Sequence, residues 1–281
     1  MKLLKKIDEM RAFRMATRGK RLGLVPTMGA LHEGHLSLVR AAREKSDIVA
    51  VSIFVNPTQF GPNEDFAKYP RNLESDSKML EREHANVVFA PSVDEMYPAD
   101  AITWVTVEGM SDRLCGKSRP GHFRGVTTVV AKLFNIVGPD IAFFGQKDSA
   151  QVAIIRRMVR DLNMPVEIGV GAIVRESDGL ALSSRNAYLD PQERKSALVL
   201  HRSLKSAQQL FERGERNSEK LIAAGKQEFA NLPSARLDYF EIVDPDSLEP
   251  LATISNRALI AVAAFIGKTR LIDNVIVDPD R

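Results

Sequence analysis

Two periodicities alternate through the first two thirds of the chain. Leu22–Val25 is a short β-prone run, and Ile48–Val55 (IVAVSIFV) is almost wholly apolar and β-branched, the pattern of a strand covered on both faces. Val87–Ala90, Ile141–Phe144 and Val166–Val174 read as further strands. Between them, Leu36–Lys45, Leu73–His84, Val126–Val137 and Ala150–Leu162 carry apolar residues at helical spacing. Strand–helix–strand alternation predicts a mostly parallel sheet with helices on both faces. Right-handed crossovers then gather the loops that follow strands along one edge, where such sheets bind ligands. The last third changes pattern: helices over Gln192–Arg213 and Ser218–Asn231 precede strands over Arg236–Val243, Ala258–Phe265 and Arg270–Val277. That order predicts a smaller α+β unit. No Gly/Ser-rich or Pro-rich linker separates the two, and the boundary is placed near Glu176, giving units 1–176 and 177–281.

Composition narrows the class. With 281 residues, 44% hydrophobic and 27% charged, the chain can form its own core without disulfides or metals. The single Cys115 cannot make an internal disulfide or complete a zinc site, which suits a reducing, cytoplasmic setting. No apolar run approaches the roughly 20 residues of a membrane span, and Met1–Glu9 is too charged for a signal-peptide core. The +3 charge comes from 39 basic against 36 acidic residues, weak grounds for a nucleic-acid partner.

The chemistry concentrates in Leu24-Val-Pro-Thr-Met-Gly-Ala-Leu-His-Glu-Gly-His-Leu-Ser-Leu38. A strand runs into a loop with Gly29 and Gly34 and then a helix start, where small residues and free N–H groups suit phosphate. The G-x-G-x-x-G fingerprint is absent, and His35 and Leu36 stand where a P-loop needs Lys and Ser/Thr. His32-Glu-Gly-His35 is one residue short of H-E-x-x-H, so zinc ligation is disfavoured. What remains is H-x-G-H, two imidazoles on one side of a helix start, able to donate to phosphate oxygens as charge builds. Gly179-Leu-Ala-Leu-Ser-Ser-Arg-Asn186 adds two hydroxyls and a guanidinium in succession, suited to a clamp on a triphosphate.

H-x-G-H paired with Ser-Ser-Arg resembles the signatures of the class I aminoacyl-tRNA synthetase and nucleotidyltransferase superfamily, which implies a Rossmann-like parallel sheet. Three further segments, Phe54–Asp65 (FVNPTQFGPNED), Arg119–Val126 (RPGHFRGV) and Phe144–Gln151 (FGQKDSAQ), make the chain closely resemble the pantothenate synthetase (pantoate–β-alanine ligase) family. The likeness runs from about Leu22 to Asn186 and resumes at Gly267–Asn274. It implies ATP-dependent condensation of pantoate with β-alanine to pantothenate, a coenzyme A precursor, through a pantoyl adenylate with release of AMP and pyrophosphate. It also implies a homodimer. Carried over by position, Met28, Gly29, Ala30, Leu31, His32, Glu33, Gly34 and His35 line the ATP site, with His35 the proton donor and His32 beside it. Gly145 and Asp148 reach the ribose, Lys147 the phosphates and Val174 the adenine, and Gln146 between them belongs to the same ATP-binding run. Leu182, Ser183, Ser184 and Arg185 close on the triphosphate. Gln59 and Gln151 grip pantoate, Gln59 also near β-alanine, with Asn56 and Arg119 as second contributors to that pocket. The reaction groups are His35, His32, Lys147, Ser184 and Arg185. Mg²⁺ is expected on the ATP phosphates, since no carboxylate cluster reads as a metal cage. Gln146, Ser149 and Ala150 depart from the family's G-E-K-D-aromatic-Q-Q run, and Thr58 replaces a larger apolar residue.

Rival readings are a cytidylyl- or adenylyltransferase, against which the Gln59 and Gln151 segments stand, and a binding protein that has lost catalysis, against which the intact polar set stands. A tRNA synthetase lacks room for an anticodon-binding module. Other conspicuous residues take plain readings: Phe54, Phe60, Phe143 and Phe144 as core or pocket wall, Arg156, Arg157 and Arg160 as a solvated helix face, Glu74 and Asp76 as surface charges, and Cys115 as incidental.

Overall fold

The computed structural model describes residues 1–281 except Asn63, Asn231 and Arg281. In chain order the elements are β1 (Lys2–Leu4), α1 (Ile7–Ala16), β2 (Leu22–Thr27), α2 (Glu33–Lys45), β3 (Ile48–Ile53), α3 (Leu73–Arg82), β4 (Val87–Phe89), α4 (Val93–Met96), α5 (Cys115–Ser118) and α6 (His122–Val137). They continue with β5 (Ile141–Gly145), α7 (Ser149–Asp161), β6 (Glu167–Gly171), α8 (Pro191–Ser196), α9 (Leu198–Glu212), α10 (Ser218–Gln227), β7 (Ala235–Val243), β8 (Ala258–Ile266) and β9 (Thr269–Val277).

β1 to β6 form one parallel sheet in the order β1-β4-β3-β2-β5-β6, and β7-β8-β9 a separate antiparallel sheet. The Rossmann-like sheet and the smaller C-terminal α+β unit are those the alternation predicts. β2, β3 and β5 are buried on both faces because helices cover both sides, which is why their sequences run apolar without alternation. The edge strand β1 and helix α1 were not legible: Lys2–Leu4 is three residues long among lysines, and it pairs with Val87–Phe89 through backbone groups that carry no side-chain signal. The helix expected over Gln192–Arg213 divides at Ala197, its first part opened by an Asp190/Glu193 capping box. The helix expected over Ser218–Asn231 ends at Gln227, and Asn231 itself lies outside the described residues.

The C-terminal sheet is apolar on both faces. Leu259 and Ala261 of β8 join Val243 and Leu248 in the large core that also holds α6 and α7, while Ala258, Ile260, Val262 and Ala264 face a second core with α9 and α10. The two units therefore share hydrophobic packing as well as the polar contacts described below.

Candidate active site

β2 and β5 pair only through Gly23–Ile141 and Leu24–Ala142 and diverge beyond those residues toward their carboxyl ends. From β2 the chain builds outward to β3 and β4 on one side, then crosses to β5 and β6 on the other. The crevice is thus the switch point where open α/β sheets bind ligands. A chamber of about 220 Å³ occupies it, smaller than the roughly 300–1,000 Å³ of ordinary small-molecule sites. Val126, Val129, Val130 and Leu133 of α6 form an apolar wall with Phe54 and Phe144. Phe143 points into the core on the sheet's other face, and Phe60 stacks edge-on with Phe66 and Tyr69. All four phenylalanines therefore serve as core, chamber wall or aromatic packing.

His32 is the N-cap of α2, its Nδ1 accepting the Gly34 N–H at 3.2 Å. His35 Nδ1 accepts the His32 N–H at 3.4 Å. The rings lie 4.1 Å apart between centroids, and both line the chamber with Gly34 and Met28. A Cβ on Gly34 would stand 3.0 Å from the His32 ring, so the small residue between the histidines is a packing requirement. With Nδ1 engaged as an acceptor in each, Nε2 carries the proton and is the donor left for a ligand. Burial foremost, then the neighbouring His32 and Lys147 charges, hold His35 down to about 3; burial and then Lys147 hold His32 down to about 4. Both are neutral N–H donors at pH 7, not imidazolium ions. Gly29, Ala30 and Leu31 shape the turn rather than the chamber wall. Glu33 does not line the chamber: it is exposed and pairs with Arg40.

The substrate-side residues divide in two. Asn56, 1% exposed, is consumed by structure. Its Oδ1 accepts Tyr97 OH at 3.0 Å and Thr58 Oγ1 at 2.9 Å, and its Nδ2 donates to Gly125 O and Gln59 Oε1 at 3.1 Å each. Thr58, the departure from the family pattern, is thereby tied into the same network. Gln59 keeps its amide aimed into the chamber, Nε2 donating to Met28 Sδ at 3.1 Å. Gln151 lines the chamber from α7 with no hydrogen-bond partner among the described residues. Arg119 is half of a pair: Nε donates to Glu64 Oε1 at 2.8 Å and Nη1 to His122 Nε2 at 3.0 Å. His122 Nδ1 donates to Gln59 O at 2.9 Å, so this ring holds the opposite tautomer. Burial, then the Arg119 charge, push it down to about 3. Asn63, within the same loop motif, lies outside the described residues.

On the opposite rim, Gly145, Lys147 and Asp148 line the chamber, and Lys147 has no ion-pair partner among the described residues. Gln146 does not line it. Its Nε2 donates to Asn274 Oδ1 at 3.1 Å, while Asn274 Nδ2 donates back to Gln146 O at 3.0 Å and Lys147 O at 2.9 Å. Gln146, where the resemblance implies a Glu, thus faces a buried amide of β9, and Ala150 is also buried. Asp273 pairs bidentately with Arg175 at 2.7 and 2.9 Å, so two adjacent residues of β9 brace both rims. Val174 and Leu182 line the chamber and join as Leu182 N–H donates to Val174 O at 2.9 Å. The Ser183–Arg185 segment is already engaged. Arg185 grips Asp65 through two bonds of 3.0 Å, and Ser184 Oγ lies 3.1 Å from Tyr69 OH. Arg185 holds the Asp65 carboxyl below its usual range against the opposing effect of burial.

The expectation that Asp76 is a surface charge is wrong. It is 2% exposed, and its carboxylate accepts the backbone N–H groups of Ala30 and Leu31. Asp65, Tyr69 and His122 complete the site without having been singled out. Asp65 and His122 lay inside quoted motifs; Tyr69 had no local signal. Cys115 is buried with Sγ 3.3 Å from Tyr239 OH and takes no part in the chamber.

Three histidines that fold neutral make stability pH-dependent. Unfolded, each takes up a proton below about pH 6.5; folded, His32 does so near 4 and His35 and His122 near 3. Stability is full above pH 6.5 and falls as pH drops toward 4, by at most about 1.4 kcal/mol per unit for each of these half-buried rings. Calorimetry from pH 7 to pH 5 is expected to show Tm falling by several degrees, with a shallower fall in His122→Gln. A flat Tm over that range contradicts the neutral assignment.

The sequence profile of the pantoate-beta-alanine ligase family matches residues 2–276. The pantothenate synthetase of Thermoanaerobacter sp. (strain X514) is 62% identical over 258 residues, 92% of this chain and 91% of that protein. The crystal structure of pantothenate synthetase from Thermus thermophilus matches with a TM-score of 0.95 at 46% identity, covering 99% of this chain and 100% of that one. The pantoate-β-alanine ligase of Francisella tularensis, complexed with beta-gamma ATP and β-alanine, matches with a TM-score of 0.80 at 35% identity over 98% and 97% of the two chains. The shared sheet, the crevice at its switch point and the paired histidines sit in a chain related along almost its whole length to enzymes that join pantoate to β-alanine, and this protein belongs to the pantoate–β-alanine ligase family.

Proposed function

We propose that the chamber forms pantoyl adenylate from pantoate and ATP and passes it to β-alanine. The observation that carries this reading is the pair of neutral imidazoles, each with Nε2–H to spare, facing a lysine without an ion-pair partner among the described residues across a half-apolar chamber. The adenine lies toward Val174 and Leu182, the ribose by Gly145 and Asp148, and the triphosphate between the start of α2 and Lys147. Pantoate packs its methyl groups on the α6 wall, and the Gln59 and Gln151 amides hold its carboxylate end. Neutral amides orient that carboxylate without the tight ion pairing that would blunt its attack on the α-phosphorus. As pyrophosphate leaves, His32, His35, Lys147 and Ser184 donate to phosphate oxygens, the charge stabilisation expected of preorganised donors. The β-alanine amine then attacks the acyl carbon, the C–N bond forms and AMP departs with the carboxyl oxygen it had gained.

Arg185 lines the chamber with two of its donors held by Asp65, so carboxylate and phosphate share one guanidinium. Asn56 and Arg119 line the chamber with polar groups committed to Gln59, Glu64 and their neighbours, and Gln146 acts through Asn274. Mg²⁺ travels on the phosphates in this reading: Asp148 is a single carboxylate at the chamber and Asp65 is committed to Arg185, too few donors for a resident hard cation. When bound, the ion neutralises phosphate charge.

Units 1–176 and 177–281 divide the work, the second supplying the Ser183–Arg185 rim and the Asp273–Asn274 brace. A homodimer in the cytoplasm completes the proposal, on the family likeness and the single buried cysteine. No helix among the described residues is long and apolar enough to cross a membrane. ATP–pyrophosphate exchange that needs pantoate but not β-alanine tests the adenylate route.

A further inference from the structure

Between β2 and α2 the chain makes a turn that the H-x-G-H motif does not explain. Gly29 has φ +80° and Ala30 φ +51°, a left-handed pair in which the second residue carries a side chain. Two successive N–H groups converge behind this turn. Asp76 of α3 fills that position, Oδ2 accepting Ala30 N–H at 3.0 Å and Oδ1 accepting Leu31 N–H at 2.9 Å. A Cβ on Gly29 would stand 2.9 Å from Asp76 Oδ2 and 3.1 Å from Ile53 Cγ2, so the turn is pressed against the carboxylate and glycine is required. Asp76 is 2% exposed and forms no ion pair among the described residues. A buried carboxylate without a cation needs these N–H donors. Converging backbone N–H groups of this kind bind phosphate in other folds. Here the protein's own carboxylate holds them, which leaves the triphosphate to side-chain donors.

We propose that Asp76 is a positioning residue for adenylate formation: it fixes the left-handed Gly29–Leu31 turn and so delivers His32 and His35 to the chamber. His32 follows Leu31 directly, and Leu31 is anchored in the core by burial, so a loosened turn moves the first imidazole and the cap of α2 together. Asparagine cannot replace the carboxylate, because its NH₂ would face one of the two N–H groups. The role rests on reading the chamber as the adenylate-forming site.

The test is pantoate-dependent ATP–pyrophosphate exchange by Asp76→Asn, with Tm measured alongside. A misplacement on the ångström scale is worth up to about 100-fold in rate, so exchange is expected to fall by about 30- to 100-fold while the KM for pantoate stays within about twofold. Glycine adopts the left-handed conformation freely, so the double variant Asp76→Asn/Ala30→Gly is expected to recover several-fold over Asp76→Asn. A merely structural carboxylate would lower Tm without that selective rate loss or rescue. Exchange within about threefold of wild type, or a loss that Ala30→Gly leaves unrelieved, overturns the assignment. If Asp76→Asn does not fold, Asp76→Glu, one methylene too long for the turn, is judged by the same criteria. Absence of pantoate-dependent exchange in the wild type would instead overturn the reading of the site.

Discussion

His35→Ala lowers the single-turnover rate of adenylate formation by about two to three powers of ten, the scale set by loss of a preorganised donor to developing charge. The fold survives, because the ring's hydrogen bond within the protein is a long acceptor bond to the His32 N–H, and the N-cap of α2 belongs to His32. The expected thermal cost is that of an ordinary substitution, about 1 kcal/mol. His35→Gln places an N–H donor near the same position and is expected to recover part of the rate. Rapid-quench measurement of enzyme-bound adenylate separates this from effects on the β-alanine step. A wild-type rate in His35→Ala would remove His35 from the chemistry.

Lys147→Met produces the second large effect, a loss of about 100-fold or more in adenylate formation, with two consequences from one charge. Lys147 projects into the chamber without an ion-pair partner among the described residues, so its full charge is available to a triphosphate. The same charge is one of the causes that hold His32 and His35 low. Methionine keeps the apolar stem and removes the ammonium. NMR titration of the ring protons is therefore expected to show both histidines titrating at higher pH in Lys147→Met than in wild type, with His122 unmoved, since Lys147 is not among the causes of its shift. Unchanged histidine titration together with an unchanged rate would mean that the ammonium faces away from the phosphate path.

The sheet, its covered strands and the H-x-G-H turn were legible in the sequence because each rests on local pattern: β-branched runs, helical spacing, glycines at a strand–helix junction. The Ser-Ser-Arg segment was legible as chemistry but not as a state. Its partner Asp65 lies 120 residues away, and nothing in either segment announces the pair. Asp76 was misread for the same reason. On a charged helix it looks solvated, and only the packing of α3 behind the turn turns it inward. Gln146 is the reverse case: a residue inside a recognised motif whose side chain is claimed by Asn274, 128 residues on. Residues that the likeness assigns to substrates sit in contiguous motifs, whereas residues that hold those motifs in place come from distant segments and leave no spacing to read. The depressed imidazole pKa values belong to the second kind, since burial and the Lys147 charge exist only once β2, α2 and β5 are assembled.

The most direct measurement is isotope exchange between pyrophosphate and ATP, run with pantoate alone, with β-alanine alone and with neither. The account predicts exchange with pantoate alone and none in the other two, because the first step is complete and reversible before the amine arrives. Exchange that required β-alanine, or that proceeded without pantoate, would contradict an acyl adenylate formed in this chamber.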